Sequence, residues 1–217
     1  AEPSIWTPKL RKRGKVLKFL HVGSPAPRKG AQQALDAFRD VFGDRDDVHL
    51  TIKAFKRTEA RARISKDEID NPAVLNNVDV IYDDYSEEDM VKLAHEHDVL
   101  IYNSYSEGFG LIPLEHMFTG MPVVCPKGWA PYKDFIIDDL APKTTIGPCP
   151  HPEINKGDVF NIDYISLCET LTNIDKNYKK YAQIAYDRVT EVTKAFDWDT
   201  LTQRAFAESI SRIENAN

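Results

Sequence analysis

Cysteine is scarce and unpatterned. Cys125, Cys149 and Cys168 are odd in number and form no C-x-x-C pair. Neither a disulfide framework nor a zinc knuckle is supported, and a reducing, cytoplasmic compartment fits best. No apolar run approaches the ~20 residues that a membrane-spanning helix needs, so no membrane span is expected, and no secretory signal is visible. Basic charge is not in excess. The 28 Lys and Arg against 34 Asp and Glu leave a net charge of -6, which argues against nucleic acid as a general partner. G-x-x-x-x-G-K-[ST] and G-x-G-x-x-G are both absent, which removes the Walker loop and the dinucleotide fingerprint. There is no G-x-S-x-G elbow, no arguable Cys/His nucleophile pair, no internal repeat and no low-complexity segment.

What is present suits one sizeable core: 217 residues, 42% hydrophobic. The chain opens on Ala rather than Met, as a fragment or processed product would. Residues 1–14 show no period and read as a tail or interdomain linker. The basic runs Lys9–Lys15 and Lys56–Arg63 read as solvated faces. KVLKFLHVG (Lys15–Gly23) reads as a buried strand ended by glycine. SPAPRKG follows as a loop, and Gln32–Phe42 has helical apolar spacing. Val48–Phe55, Val78–Tyr82, Asp98–Asn103 and Pro122–Cys125 read as further strands. Lys56–Asn77 is ambiguous, with some helix. Ser86 is placed to cap a helix with an acidic first turn. IPLEHMFTG reads as a helix between Pro113 and Gly120. Trp129–Gly157 reads as loop with short elements, and VFNI as a final short strand. Asp163–Asn217 reads as two or three helices, the last opening at Asp197-Trp198-Asp199. Alternating strands and helices with short connections predict an α/β fold: a Rossmann-like, doubly wound parallel sheet with helices on both faces, plus C-terminal helices.

In such sheets ligands sit beyond the carboxyl ends of the strands. Two loops leave strands there and enter helices: GSPAPRKG (Gly23–Gly30) and SEGFG (Ser106–Gly110). Each ends at a helix N-terminus, where free N–H groups and the dipole favour an anion. Arg28 and Lys29 add positive charge to the first, and Gly108 and Gly110 permit close approach in the second. Glu107 and Glu115 stand eight positions apart beside this anion site. An ionised carboxylate only accepts hydrogen bonds and suits vicinal hydroxyls. A sugar nucleotide has a diphosphate in its middle and a diol at each end, so one glutamate per diol accounts for the pair. A turn residue at Glu107 and a dipole-favoured helix residue at Glu115 account for them equally well at this level.

SYSEGFGLIPLEHMFTGMPVV resembles the signature of retaining glycosyltransferases of the GT-B fold, especially glycosyltransferase family 4. Glu107 and Glu115 fall on its E-x7-E pair. FLHVG…RKG is similar to the first strand and Lys-Gly loop of the donor domain there, and FDWDTLTQRAF to the C-terminal F-x-W helix. The resemblance covers about residues 16–213. It implies a retaining transferase donor domain that binds a nucleoside-diphosphate sugar and needs no metal or other cofactor. Lys29, helped by Arg28, would stabilise the leaving diphosphate, and Glu107 would bind hydroxyls of the transferred sugar; these three are the catalytic candidates. Gly23, Ser24, Gly108, Phe109, Gly110 and Leu111 would line the donor, Glu115 would bind the ribose, and Tyr82, Asp84 and Tyr85 would lie near the base. The implied organisation is a linker or tail at 1–14, a nucleotide-sugar-binding domain at 15–196, and a helix at 197–217 packing on it or crossing to a missing N-terminal acceptor domain.

The chain departs from the pattern at Ser24, where arginine is usual, and at Asn103, where proline is usual. E-A-M-A is Glu115-His116-Met117-Phe118. GWAPYKD lacks the usual glutamate, with Asp134 near its place. A sugar-nucleotide epimerase-like GT-B protein and a non-catalytic nucleotide-binding or interaction module remain the alternatives. Asp44-Arg45-Asp46 and Asp197-Trp198-Asp199 match D-x-D but read as a turn and a helix cap. His95 and His97 point to different faces of a helix, and His116 reads as a helix-surface residue.

Overall fold

The computed structural model describes residues 2–24, 26–54, 76–128, 135–150 and 156–214. Most of the ambiguous segment Lys56–Asn77, and Asp134, lie outside these residues. β1 (Leu17–Val22), β2 (Val48–Lys53), β3 (Val78–Ile81), β4 (Val99–Ile101) and β5 (Val123–Val124) form a parallel sheet in the order β3-β2-β1-β4-β5. The chain reverses its winding between β3 and β4, so the switch point lies between β1 and β4.

The sheet is buried on both faces, which explains why its strands read as nearly continuous apolar runs. Leu17, Phe19, Leu50, Ile52, Val99 and Ile101 face one core, with Ala34, Leu35, Phe38 and Phe42 of α1 (Ala31–Phe42) and Leu167, Leu171 and Ile174 of α4 (Tyr164–Asp187). Phe19 packs against the rings of Phe38 and Phe42 at 5.7 and 5.2 Å. Leu20, Val22, Leu100 and Tyr102 face the second core, built with α2 (Glu87–Glu96) and α3 (Leu111–Phe118). α5 (Val189–Phe196) and α6 (Trp198–Glu214) complete the helices. No helix among the described residues is long and apolar enough to cross a membrane.

One local feature matches the sequence reading and one differs from it. VFNI belongs to β7 (Asp158–Ile162), which pairs antiparallel with β6 (Thr144–Pro148) as a ribbon separate from the main sheet. The solvated-face reading of Lys9–Lys15 fails at Arg11, which is buried. Its guanidinium donates to the carbonyls of Ala94, His97 and Thr119 and to the Thr119 hydroxyl. It thus satisfies the orphan C-terminal carbonyls of α2 and α3 together. Trp6 is also buried, with its indole N–H donating to Glu87 at 3.2 Å. Residues before β1 therefore strap the second face of the sheet.

Candidate functional site

α1 and α3 both begin at the carboxyl edge of the sheet, and both begin on glycine. Gly30 (φ +75°) and Gly110 (φ +87°) occupy the left-handed region as N-caps, neither helix has a capping side chain, and neither has an acid in its first turn. α2 starts at the same edge but is closed by a Ser86–Asp89 capping box and three acidic residues. Among the described residues, two of these three N-termini therefore lack a side-chain cap and keep an uncompensated positive end. These are the two that the anion argument selected.

The two loops are locked to each other. Asn103, just past β4, donates from Nδ2 to the Gly30 carbonyl and to Gln33 Oε1, both at 2.9 Å. A Cβ on Gly30 would sit 2.6 Å from the Asn103 carbonyl oxygen, so the approach needs glycine as well as the positive φ. Tyr105 N–H donates to the Arg28 carbonyl at 2.9 Å, and Arg28 Nη1 reaches the Ser106 carbonyl at 3.4 Å. Behind the second loop, Phe160 of β7 donates its N–H to the Tyr105 carbonyl at 2.9 Å.

This lock brings Lys29 and Glu107 together. Lys29 Nζ is ion-paired to Glu107 Oε1, with both side chains 14% exposed. The same oxygen accepts from Tyr102 Oη at 2.8 Å and Ser104 Oγ at 2.7 Å. Burial pushes the Glu107 carboxyl up, but Lys29, Ser104 and Tyr102 outweigh it and hold the pKa below the usual range. Glu107 is thus a fixed, ionised acceptor. Its Oε2 carries no hydrogen bond among the described residues. Lysine has three N–H donors, so Lys29 keeps capacity for a second anion.

Glu115 has the opposite electrostatics. It lies on α3, partly buried and without a hydrogen bond among the described residues. Burial, with repulsion from Glu87, raises its pKa to about 7. A half-buried carboxyl with a raised pKa and no hydrogen-bond partner among the described residues makes Glu115 a candidate site residue. Phe109 and Leu111, six and four positions before it, are 39% and 44% exposed, and a Cβ added to Gly108 would meet nothing within 4 Å among the described residues. Phe109 packs edge-on to Phe196, which packs on Phe135. The F-x-W phenylalanine therefore supports the G-F-G loop. Tyr82, 37% exposed, with Asp84 and Tyr85, forms the turn after β3. Gly23 donates its N–H to the Lys53 carbonyl, and Ser24 continues the first loop.

Sequence reasoning missed three contributors. Tyr102 and Ser104 fix Glu107, and hydroxyls at a strand end were their only signal. Asn103 looked like a departure from pattern but is the clamp between loops. His116 is fully buried rather than on the helix surface. Its Nδ1–H donates to the Ile112 carbonyl at 2.7 Å and its ring lies 5.4 Å from Trp6. Burial lowers its pKa to about 4, so it is neutral. His97 bonds Leu93 and Thr51, and His95 meets Thr7, so they share nothing. Asp197 caps α6 through the Thr200 N–H at 3.0 Å.

Comparison with known proteins bears on the fold and the family. No curated protein matches the chain. The fold is similar to that of the C-terminal domain of a glycosyl transferase group 1 family protein (LpcC) from Francisella tularensis. That match has a TM-score of 0.60 and 17% identity, covering 88% of this chain and 97% of that one. Sucrose-phosphate synthase from Thermosynechococcus elongatus matches with a TM-score of 0.69 and 16% identity over all of this chain and 52% of that one. Anabaena Alr3699/HepE, solved in complex with UDP-glucose, matches with a TM-score of 0.68 and 16% identity over 98% and 56%. The chain thus spans about half the length of the latter two. The architecture is one half of a GT-B fold, and since residues 4–148 match the family of glycosyl transferases group 1, the chain belongs to that family.

Proposed function

We propose that the chain is the donor half of a retaining, family 4-like glycosyltransferase, binding a nucleoside-diphosphate sugar. One observation carries this reading. A single ion pair, Lys29–Glu107, joins two loops that each end at an uncapped helix N-terminus. Diphosphate bound there would meet the positive N-terminal ends of α1 and α3, the remaining Lys29 donors and Arg28. Glu107 Oε2 would accept from hydroxyls of the transferred sugar, and Glu115 from the ribose diol. As the bond from the sugar carbon to the diphosphate oxygen breaks, charge grows on the leaving oxygen. Lys29 and the two helix ends then stabilise the transition state more than the ground state. This charge clamp makes no demand for a divalent metal or other cofactor. The half-length coverage of the larger relatives supports pairing with an N-terminal acceptor domain that closes over the donor and excludes water.

Calorimetric titration with UDP, GDP and ADP tests the reading. Selective binding of one diphosphate by the wild type, lost in Glu115→Ala, is the expected result. Binding of all three that survives both Glu115→Ala and Lys29→Ala would place the ligand elsewhere and sink the assignment.

A further inference from the structure

Lysine is rarely fully buried without compensation, yet Lys53 is 1% exposed at the last position of β2. Register sets it in one row with Val22 of β1 and Ile81 of β3. On that row stand the loop beginning at Gly23 and the turn Tyr82–Tyr85. The strand position is one that an apolar residue would fill at no electrostatic cost. Lys53 instead reaches across to the turn. Its ammonium donates to the carbonyls of Ala54 at 2.8 Å and Asp83 at 2.6 Å, and lies 4.7 Å from the centre of the Tyr85 ring. Loss of hydration disfavours its charge, and the nearby charges of Asp84 and Asp83 offset part of that cost. The bond to Asp83 spans from the end of β2 to the segment beyond β3, so the conformation of the turn depends on it.

We infer that Lys53 is a positioning residue that sets the turn Tyr82–Tyr85 and thereby the base selectivity of the donor site. The inference rests on the donor-site reading above. Lys53 lies beneath the turn and acts through it. The turn presents the exposed Tyr82 and the cation-held Tyr85, aromatic surfaces suited to a planar heterocycle. The diphosphate is held by different elements, the loop 23–30 and the start of α3. Releasing the turn should therefore blur discrimination between bases, which depends on hydrogen-bonding groups held in register, while leaving the anion site in place.

The experiment compares Lys53→Met, which keeps the apolar stem, with the wild-type chain against inorganic pyrophosphate, UDP, GDP and ADP. Pyrophosphate affinity should stay within about twofold, while preference for the best nucleoside diphosphate over the others falls about tenfold. A folded Lys53→Met protein with wild-type preference overturns the inference. Should that variant fail to fold, Lys53→Gln, which stays polar but loses the ammonium that bonds Asp83 and faces Tyr85, decides by the same criterion. A wild type that binds pyrophosphate without preferring any base overturns the inference and leaves the anion site standing. A wild type that binds none of the four overturns the donor-site reading itself, and this inference with it.

Discussion

Gly30→Ala is the sharpest test of how the two loops are held in register. At φ +75° an L-residue is disfavoured by about 1 kcal/mol. The new Cβ would lie 2.6 Å from the Asn103 carbonyl oxygen and 2.8 Å from its Cγ and Nδ2. Nothing flexible stands there, since Asn103 is fully buried. Asn103 must withdraw, giving up its bonds to the Gly30 carbonyl and Gln33, worth about 1 kcal/mol each. The expected destabilisation is about 3 kcal/mol, read from the urea midpoint at unchanged slope. Because Asn103 immediately precedes Ser104, which holds Glu107, donor affinity should fall in the same variant. A loss below about 1 kcal/mol with unchanged affinity would refute the clamp, since the strain alone accounts for that much.

Glu115 gives two further predictions, both from its raised pKa. Its folded value of about 7 lies above its ordinary 4.5, so it binds a proton more tightly folded than unfolded. It therefore costs stability as pH rises through that window, fully so above pH 7. Glu115→Gln should be more stable than wild type at pH 8 by about 3 kcal/mol, with no difference below pH 4; equal unfolding midpoints at both pH values would contradict this. Donor binding should move oppositely. If the ribose diol needs the ionised carboxylate, nucleoside-diphosphate affinity falls about tenfold from pH 8 to pH 6 through this group. Glu115→Ala should lack that component, and an unchanged pH profile in the variant would argue against ribose contact.

The parallel sheet was legible because β1 and β2 are buried on both faces and leave unbroken apolar runs. α1 was legible from its single apolar stripe, and α2 from Ser86 and its acidic first turn. Both glycine loops at the carboxyl edge were legible because glycine, charge and a following helix coincide. What escaped depends on partners distant in sequence. Arg11 looks like any lysine-rich surface residue until the C-termini of α2 and α3 converge on it. Lys53 is a lone charge in an apolar strand, and only the neighbouring turn gives it a role. Asn103 was compared with the proline expected there, although its amide has a task that no proline could perform. His116 followed helix periodicity to the surface, whereas the strap carrying Trp6 covers that face.

The central claim is that Glu107 serves the sugar while Lys29 and the helix ends serve the diphosphate. The most direct measurement is a paired titration of wild type and Glu107→Gln with a nucleoside diphosphate and its sugar conjugate. The substitution removes the charged acceptor but keeps the shape, and a charge-assisted hydrogen bond is worth about 1.5–3 kcal/mol. The account predicts that the conjugate weakens about tenfold or more beyond whatever change the broken Lys29 pair causes in the diphosphate. Equal weakening of both ligands, or of neither, would contradict it.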